Sequence, residues 1–268
     1  MSLMNIFTAV VIYNKRCNDS TTCESLKKIR DVQVIILDNS TELNDNAEYC
    51  TRQGWQYISM GGNMGLAKAY NRAVEVLKAN DSVLCLFDDD SEVVQGYYDS
   101  LRQTLAAQPL KKVLLPLIYD SHGLMSPSVT DGLAVRRAEK IEEITQQNIT
   151  GVNSGMAICL SVFDNYRYDE GYFLDYIDHA FLRDMRRIGN EIGYFDAQIK
   201  HETMFETQTA SVDTIRKRFK IFKKDLGRFC GKTLQGRLAY QKEIIRQKYY
   251  FTTNDSLKFG EKLGLLFF

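Results

Sequence analysis

Long hydrophobic runs are missing from this 268-residue chain. The longest apolar stretches, FTAVVIY near the start and LGLLFF near the end, fall short of the roughly 18 residues that cross a bilayer, so no membrane-spanning segment is expected. The opening MSL lacks the basic and apolar layout of an export signal, and the expected compartment is the cytoplasm. The six cysteines (17, 23, 50, 85, 159 and 230) form no CxxC pair and no zinc-ligand spacing, so they read as reduced core thiols. Only three prolines, at 109, 116 and 127, interrupt the chain. GxGxxG and GxxxxGK[ST] spacings are also absent, which argues against dinucleotide and P-loop cofactors. What remains, at 44% hydrophobic and 25% charged residues, is the composition of an ordinary globule; disordered, collagen-like and disulfide-stapled classes drop out.

A net charge of zero hides an asymmetry. Residues 1–214 carry 20 Lys+Arg against 30 Asp+Glu, whereas 215–250 carry 12 against 2. The basic block interleaves cations with Phe, Ile, Leu and Tyr, as an amphipathic helix on an anionic membrane surface does. A solvated helix face, or a helix packed on the acidic body, gives the same pattern. No nucleic-acid motif accompanies the block, and nucleic acid is not an expected partner.

Short β-branched runs alternate with helical patterns through the first 120 residues, which predicts parallel β-α-β units. The runs are 6–13, 32–37, 55–59, 83–87 and 113–118. Met64, Ala67, Tyr70, Val74 and Leu77 recur at helical spacing and should pack one face on the sheet. Residues 119–151 read as a polar, loop-like crossover. Ligands of open α/β sheets bind beyond the carboxyl ends of the strands. Those positions are polar four times over: Asn14-Lys15, Asp38-Asn39-Ser40, Gly61-Gly62-Asn63 and Asp88-Asp89-Asp90-Ser91.

Three adjacent aspartates after VLCLF repel one another unless a cation is present, and hard oxygen ligands favour Mg²⁺ or Mn²⁺. In an extended stretch Asp88 and Asp90 share a side and Asp89 faces away, which assigns the first and third to the metal and nucleotide side. The alternative is a capping cluster for a helix starting near Val93. In GGNMGLAKAYNRAVEVL the glycines let backbone pass close to a bound group, and the free N–H groups of the following helix suit an anion or a sugar hydroxyl.

With VVIYNK, LDNS, GGNMGLAKAYNRA, FDDDS, VNSG, FLDYIDHAFLRDMRRIG and KHET in place from residue 6 to about 201, the chain resembles the inverting glycosyltransferases of family 2, which have the GT-A fold. The pair FDDDS and FLDYID is most similar to the rhamnosyltransferase branch, where FDxDS and FIDYVD strings occur. The resemblance implies a mostly parallel central sheet flanked by helices, with a catalytic domain over 1–210 and a basic, mostly helical extension over 211–268. It implies a nucleotide-diphosphate sugar donor, with Tyr13, Asn14 and Asp38 near base and ribose, and with Asn39, Gly62, Asn63, Lys68, Asp88 and Asp89 completing the donor site. Asp88 and Asp90 stand as the DxD motif for Mn²⁺ or Mg²⁺, with His201 as a further metal ligand or else a structural histidine. Asn153, Ser154 and Gly155 fall near the diphosphate or acceptor, or form a plain turn. The implied acceptor is a glycan or lipid-linked glycan, reached by an enzyme that is cytoplasmic or held at the inner face of the membrane.

Sugar transfer needs the leaving diphosphate neutralised and the attacking hydroxyl deprotonated. Asp178 lies at helical spacing with Phe181, Leu182 and Met185, which places it on an inward face and makes it the candidate base, its basicity raised by partial desolvation. The family usually has Glu before this Asp, where the chain has Ile177. Asp175 is expected to cap the helix, with acceptor orientation as its other reading. His122 and His179 read as structural. A nucleotidyltransferase, with Lys15 and Arg16 meeting a triphosphate, and a catalytically silent nucleotide-sugar or glycan-binding module are the rival classes. Oligomeric state is open.

Overall fold

The structure is a computed structural model, described over residues 4–77, 82–200, 211–253 and 258–267. Its first part follows the predicted alternation: β1 (Asn5–Ile12), α1 (Thr21–Leu26), β2 (Gln33–Asp38), α2 (Asn46–Gln53), β3 (Gln56–Ser59), α3 (Leu66–Val76), β4 (Ser82–Phe87), α4 (Gln95–Ala107) and β5 (Lys111–Asp120). The strands β6 (Gly123–Ser126), β7 (Ser128–Asp131), β8 (Ala134–Arg136), β9 (Ile149–Thr150) and β10 (Met156–Cys159) follow, then α5 (Ile177–Arg187) and β11 (Glu191–Lys200). Three helices complete the chain: α6 (Val212–Cys230), α7 (Leu234–Thr253) and α8 (Phe259–Leu266).

The main sheet runs β11-β5-β10-β4-β1-β2-β3, with β6 paired to β5. Only β10 and β6 run antiparallel to their neighbours. The parallel register sets Ile12 opposite Asp38 and Asp38 opposite Ser59, so the polar segments after these strands emerge along one edge. Alternation within β1 shows why helices cover both faces. Phe7, Ala9 and Val11 enter a cluster with Tyr70 and Phe181, while Ile6, Val10 and Ile12 enter another with Cys50, Tyr98 and Leu101. The six cysteines are free thiols, and all but Cys159 are buried.

Two expectations need correction. Residues 119–151 are not a loop: they hold β6 and a second, three-stranded sheet β8-β7-β9. These strands are two to four residues long, too short for alternation to declare itself. Met64 precedes α3 and is 40% exposed, while Ala67, Tyr70 and Val74 supply the buried face.

The basic block also divides. It forms two helices, and α6 packs on the body: Phe219, Leu226 and Phe229 join the cluster that holds Tyr70 and Phe181. Two of its cations are spent there, Arg218 on Asp175 and Arg228 on Asp169.

Candidate active site

The acidic segment after β4 is fastened to the start of α1 through its backbone, not its carboxylates. Thr22 Oγ1 donates to Asp88 O (2.6 Å) and accepts from Ser91 N (2.8 Å); Ser20 Oγ donates to Asp89 O (2.7 Å). The start of α1 therefore fixes the tip and leaves the side chains available. The tip is a turn and not the extended stretch expected, so strand alternation is the wrong reason for separating the three aspartates. They separate nonetheless. Asp89 is held by Lys15 Nζ at 2.9 Å, and burial pushes its carboxyl up against the pull of that lysine. Asp90 Oδ1 is buried with no hydrogen-bond partner. Burial pushes Asp88 up to about 7, and the charges of Asp90, Asp89 and Asp178 add to the rise. The capping alternative does not describe this cluster: α4 begins at Gln95, and its N-cap Val94 makes no side-chain cap bond.

Asp178 sits in the first turn of α5, whose Phe181, Leu182 and Met185 are buried as its spacing requires. Its side chain is 17% exposed, its Oδ1 accepts from His179 N at 2.7 Å, and its charge reaches Asp88. Tyr70 is fully buried with an unpartnered hydroxyl; burial holds that hydroxyl well above its ordinary range, and the charges of Asp88 and Asp178 act in the same sense. His179 Nδ1 meets Thr150 Oγ1 at 2.7 Å, which ties α5 to β9.

Asp175 is not the helix cap. The N-cap is Tyr176, in the left-handed region at φ 59°, with its ring stacked on Phe229 at 4.9 Å. Asp175 instead takes both guanidinium nitrogens of Arg218, one at 2.6 Å. Burial raises its carboxyl and Arg218 opposes the rise. The segment is clamped further by Asp225 of α6, fully buried, whose carboxylate accepts from Phe173 N (3.1 Å), Leu174 N (2.8 Å) and Asp175 N (2.9 Å). Nothing near Asp225 in the sequence marks it for this task, because its partners are backbone groups some 50 residues away.

At the ends of β1 and β2, Tyr13 is half exposed directly after β1, and Asn14 takes a positive φ of 47°, with Oδ1 accepting from Thr41 N at 2.8 Å. Asp38 is buried and accepts from Ser40 N, Asn44, Asn46 and the Tyr57 hydroxyl at 2.9–3.1 Å. Burial alone raises such a group; the donors from Ser40, Asn46 and Asn44 outweigh it and hold Asp38 below its ordinary value. Asn39 bridges to the glycine loop, accepting from Met64 N (3.2 Å) and donating to Gly65 O (3.4 Å). Asn63 Oδ1 accepts from Gly65 N at 3.3 Å, Gly62 has φ 130°, and Lys68 lies half-buried on the first turn of α3. At Gly65 (φ 84°) an added Cβ meets Phe173 O at 2.8 Å, so this loop and the Asp175 segment touch backbone to backbone.

Asn153, Ser154 and Gly155 pack behind the acidic tip. Ser154 Oγ meets Ser91 Oγ at 2.7 Å, Gly155 N donates to Leu86 O at 2.7 Å, and Asn153 Oδ1 is buried without a partner. His201 lies outside the described residues. Among the described residues no three His, Cys, Asp or Glu cluster as a metal site, so a cation here needs oxygens from a ligand besides those of Asp88 and Asp90. The donor set fits that need: hard carboxylate oxygens, one of them buried and unpartnered, beside a carboxyl that burial and like charge discourage from ionising. Of the two cations that a triphosphate reading required, Lys15 is committed to Asp89, and Arg16 is exposed.

A mostly parallel sheet under a one-edge site of this kind defines the GT-A class of α/β fold, and solved structures agree. The *S. aureus* TarS 1–349 structure matches at TM-score 0.55 and 13% identity, covering 98% of this chain and 69% of that one. GalNAc-T7 with UDP, GalNAc and Mn²⁺ matches at 0.60 and 14%, covering 82% and 48%. A *Pyrobaculum calidifontis* mannosyltransferase with GDP-Man and Mn²⁺ matches at 0.57 and 8%, covering 88% and 67%. The glycosyl transferase family 2 model matches residues 8–159, and the chain belongs to that family. Comparison with curated protein sequences returns no match.

Proposed function

We propose that the chain is a metal-dependent, inverting glycosyltransferase that moves rhamnose or a similar hexose from a nucleotide-diphosphate donor to a hydroxyl of a glycan or lipid-linked glycan in cell-surface polysaccharide synthesis. The observation that carries this reading is the pairing of an acidic tip, with its unpartnered Asp90 oxygen, and Asp178 close enough to load Asp88 electrostatically. Donor diphosphate at the tip and acceptor hydroxyl at Asp178 then share one edge of the sheet. Asp88 and Asp90 would hold Mn²⁺ or Mg²⁺, which would supply neutralising charge to the leaving diphosphate. The segments carrying Tyr13, Asn14 and Asp38 flank the base and ribose, and the Gly62-Asn63 loop and Lys68 lie along the sugar diphosphate. Asp178 takes the proton of the acceptor hydroxyl as its oxygen bonds to the anomeric carbon and the bond to the diphosphate breaks. One base and direct displacement give inversion.

The test is release of nucleoside diphosphate from a panel of nucleotide sugars, dTDP-rhamnose first, followed by transfer to acceptor. Release is expected to require Mn²⁺ or Mg²⁺ and to vanish in Asp90→Ala. Asp178→Asn is expected to slow transfer by about 10²–10⁴ with donor binding retained. Release that continues in excess chelator removes the metal role, and wild-type transfer by Asp178→Asn removes the base.

A further inference from the structure

Helix α7 is apolar on two sides. One side, with Ala239, Tyr240 and Ile244, closes the core cluster around Phe229 and Cys230. The other does not join that cluster: Leu234 is 76% exposed, Leu238 64%, Ile245 67% and Tyr249 65%. At 3.6 residues per turn these four fall within about 60° of arc, with Gln241 at one margin of the stripe they form. Exposed Arg237 borders the stripe on one side and exposed Lys242 on the other, and among the described residues no ion pair occupies either. The one acidic residue of α7, Glu243, lies away from the stripe and is paired with Arg246. On α6, Lys217, Lys220 and Lys224 form an exposed row at helical spacing.

We infer that α7 docks flat on an anionic lipid bilayer, its aliphatic stripe entering the headgroup boundary while Arg237 and Lys242 meet lipid phosphates. Charge decides the occupant. A second copy would bring Arg237 and Lys242 against their own counterparts, with no carboxylate on that face to match them, whereas an anionic leaflet matches both. The helix lies in the plane of the surface and does not cross the bilayer, since no described helix is long and apolar enough to span. This surface is separate from the sugar-transfer site and stands whether or not that reading holds.

The experiment is sedimentation of the full chain with vesicles of phosphatidylcholine alone or mixed with phosphatidylglycerol, at low and high salt. Binding is expected only to the mixed vesicles and to weaken with salt. Each cation near such a surface contributes about five-fold, so Arg237→Gln with Lys242→Gln lowers partitioning about 25-fold. Leu238→Ser with Ile245→Ser lowers it on the order of a hundred-fold. All four positions are exposed, so melting temperature and nucleoside diphosphate release should match wild type in both variants. Absence of binding at low salt, equal binding to neutral vesicles, or binding that survives both variants overturns the inference. So does a dimer, seen by sedimentation equilibrium without lipid, that Leu238→Ser dissolves.

Discussion

Asp225→Ala tests whether α6 belongs to the catalytic machinery or merely covers it. The wild-type carboxylate is fully buried and accepts from three consecutive backbone N–H groups at 2.8–3.1 Å, immediately ahead of the helix that presents Asp178. Hydrogen bonds to a charged group contribute about 1.5–3 kcal/mol each, and the three are not additive because the released segment relaxes toward water. A loss of about 3 kcal/mol follows, which in a chain of this size lowers the melting temperature by roughly 6–12 °C. Function should suffer beyond stability. The same segment carries Asp175 and, three residues on, Asp178; a misplacement of about 1 Å at the proposed base is worth about a hundred-fold in rate. Thermal melting and the rate of sugar transfer, both measured well below the lowered melting point, check the two effects separately. Asp225→Asn, which keeps one carbonyl oxygen for Leu174 N and Asp175 N, should recover part of each. An alanine variant that melts within 2 °C of wild type and transfers at the wild-type rate refutes the clamp, the 2 °C margin being about the shift that 1 kcal/mol produces.

Asp88 gives a pH dependence of determinate sign. Its folded-state value of about 7 lies above the unfolded 3.8, so the metal-free protein loses stability as pH rises from roughly 4 to 7. Mn²⁺ affinity should rise over the same window as the proton leaves, and Asp88→Asn should flatten both curves in thermal melts and metal titrations. Gly155→Ala should destabilise by about 2–4 kcal/mol, since φ is 76° and the new Cβ falls 2.3 Å from Ile199 Cδ1 and 2.8 Å from Pro116 Cγ; denaturant unfolding measures it.

Much of this molecule was legible along the chain because its signals are local. Alternating β-branched runs located β1 to β5 to within about two residues, and the shared polar edge followed from the rule that parallel strands end together. The inward placement of Asp178 needed only a helical period, and Phe181, Leu182 and Met185 are buried with it. The rest depended on groups distant in sequence. Asp175 carries the composition of a cap, yet Arg218, 43 residues away, captures its carboxylate and leaves Tyr176 at the helix start. Alternation sets Asp89 apart for the wrong reason, since it is Lys15 that draws it aside, and the basic block reads as one amphipathic stretch until α6 spends two of its cations on the body and α7 turns an aliphatic stripe outward. Composition and period determine which residues can be buried, helical or acidic together, because those depend on chain geometry over a few residues. Which carboxylate is paired, which is left bare and which face of a helix stays uncovered depend on partners that only the folded chain brings within bonding distance.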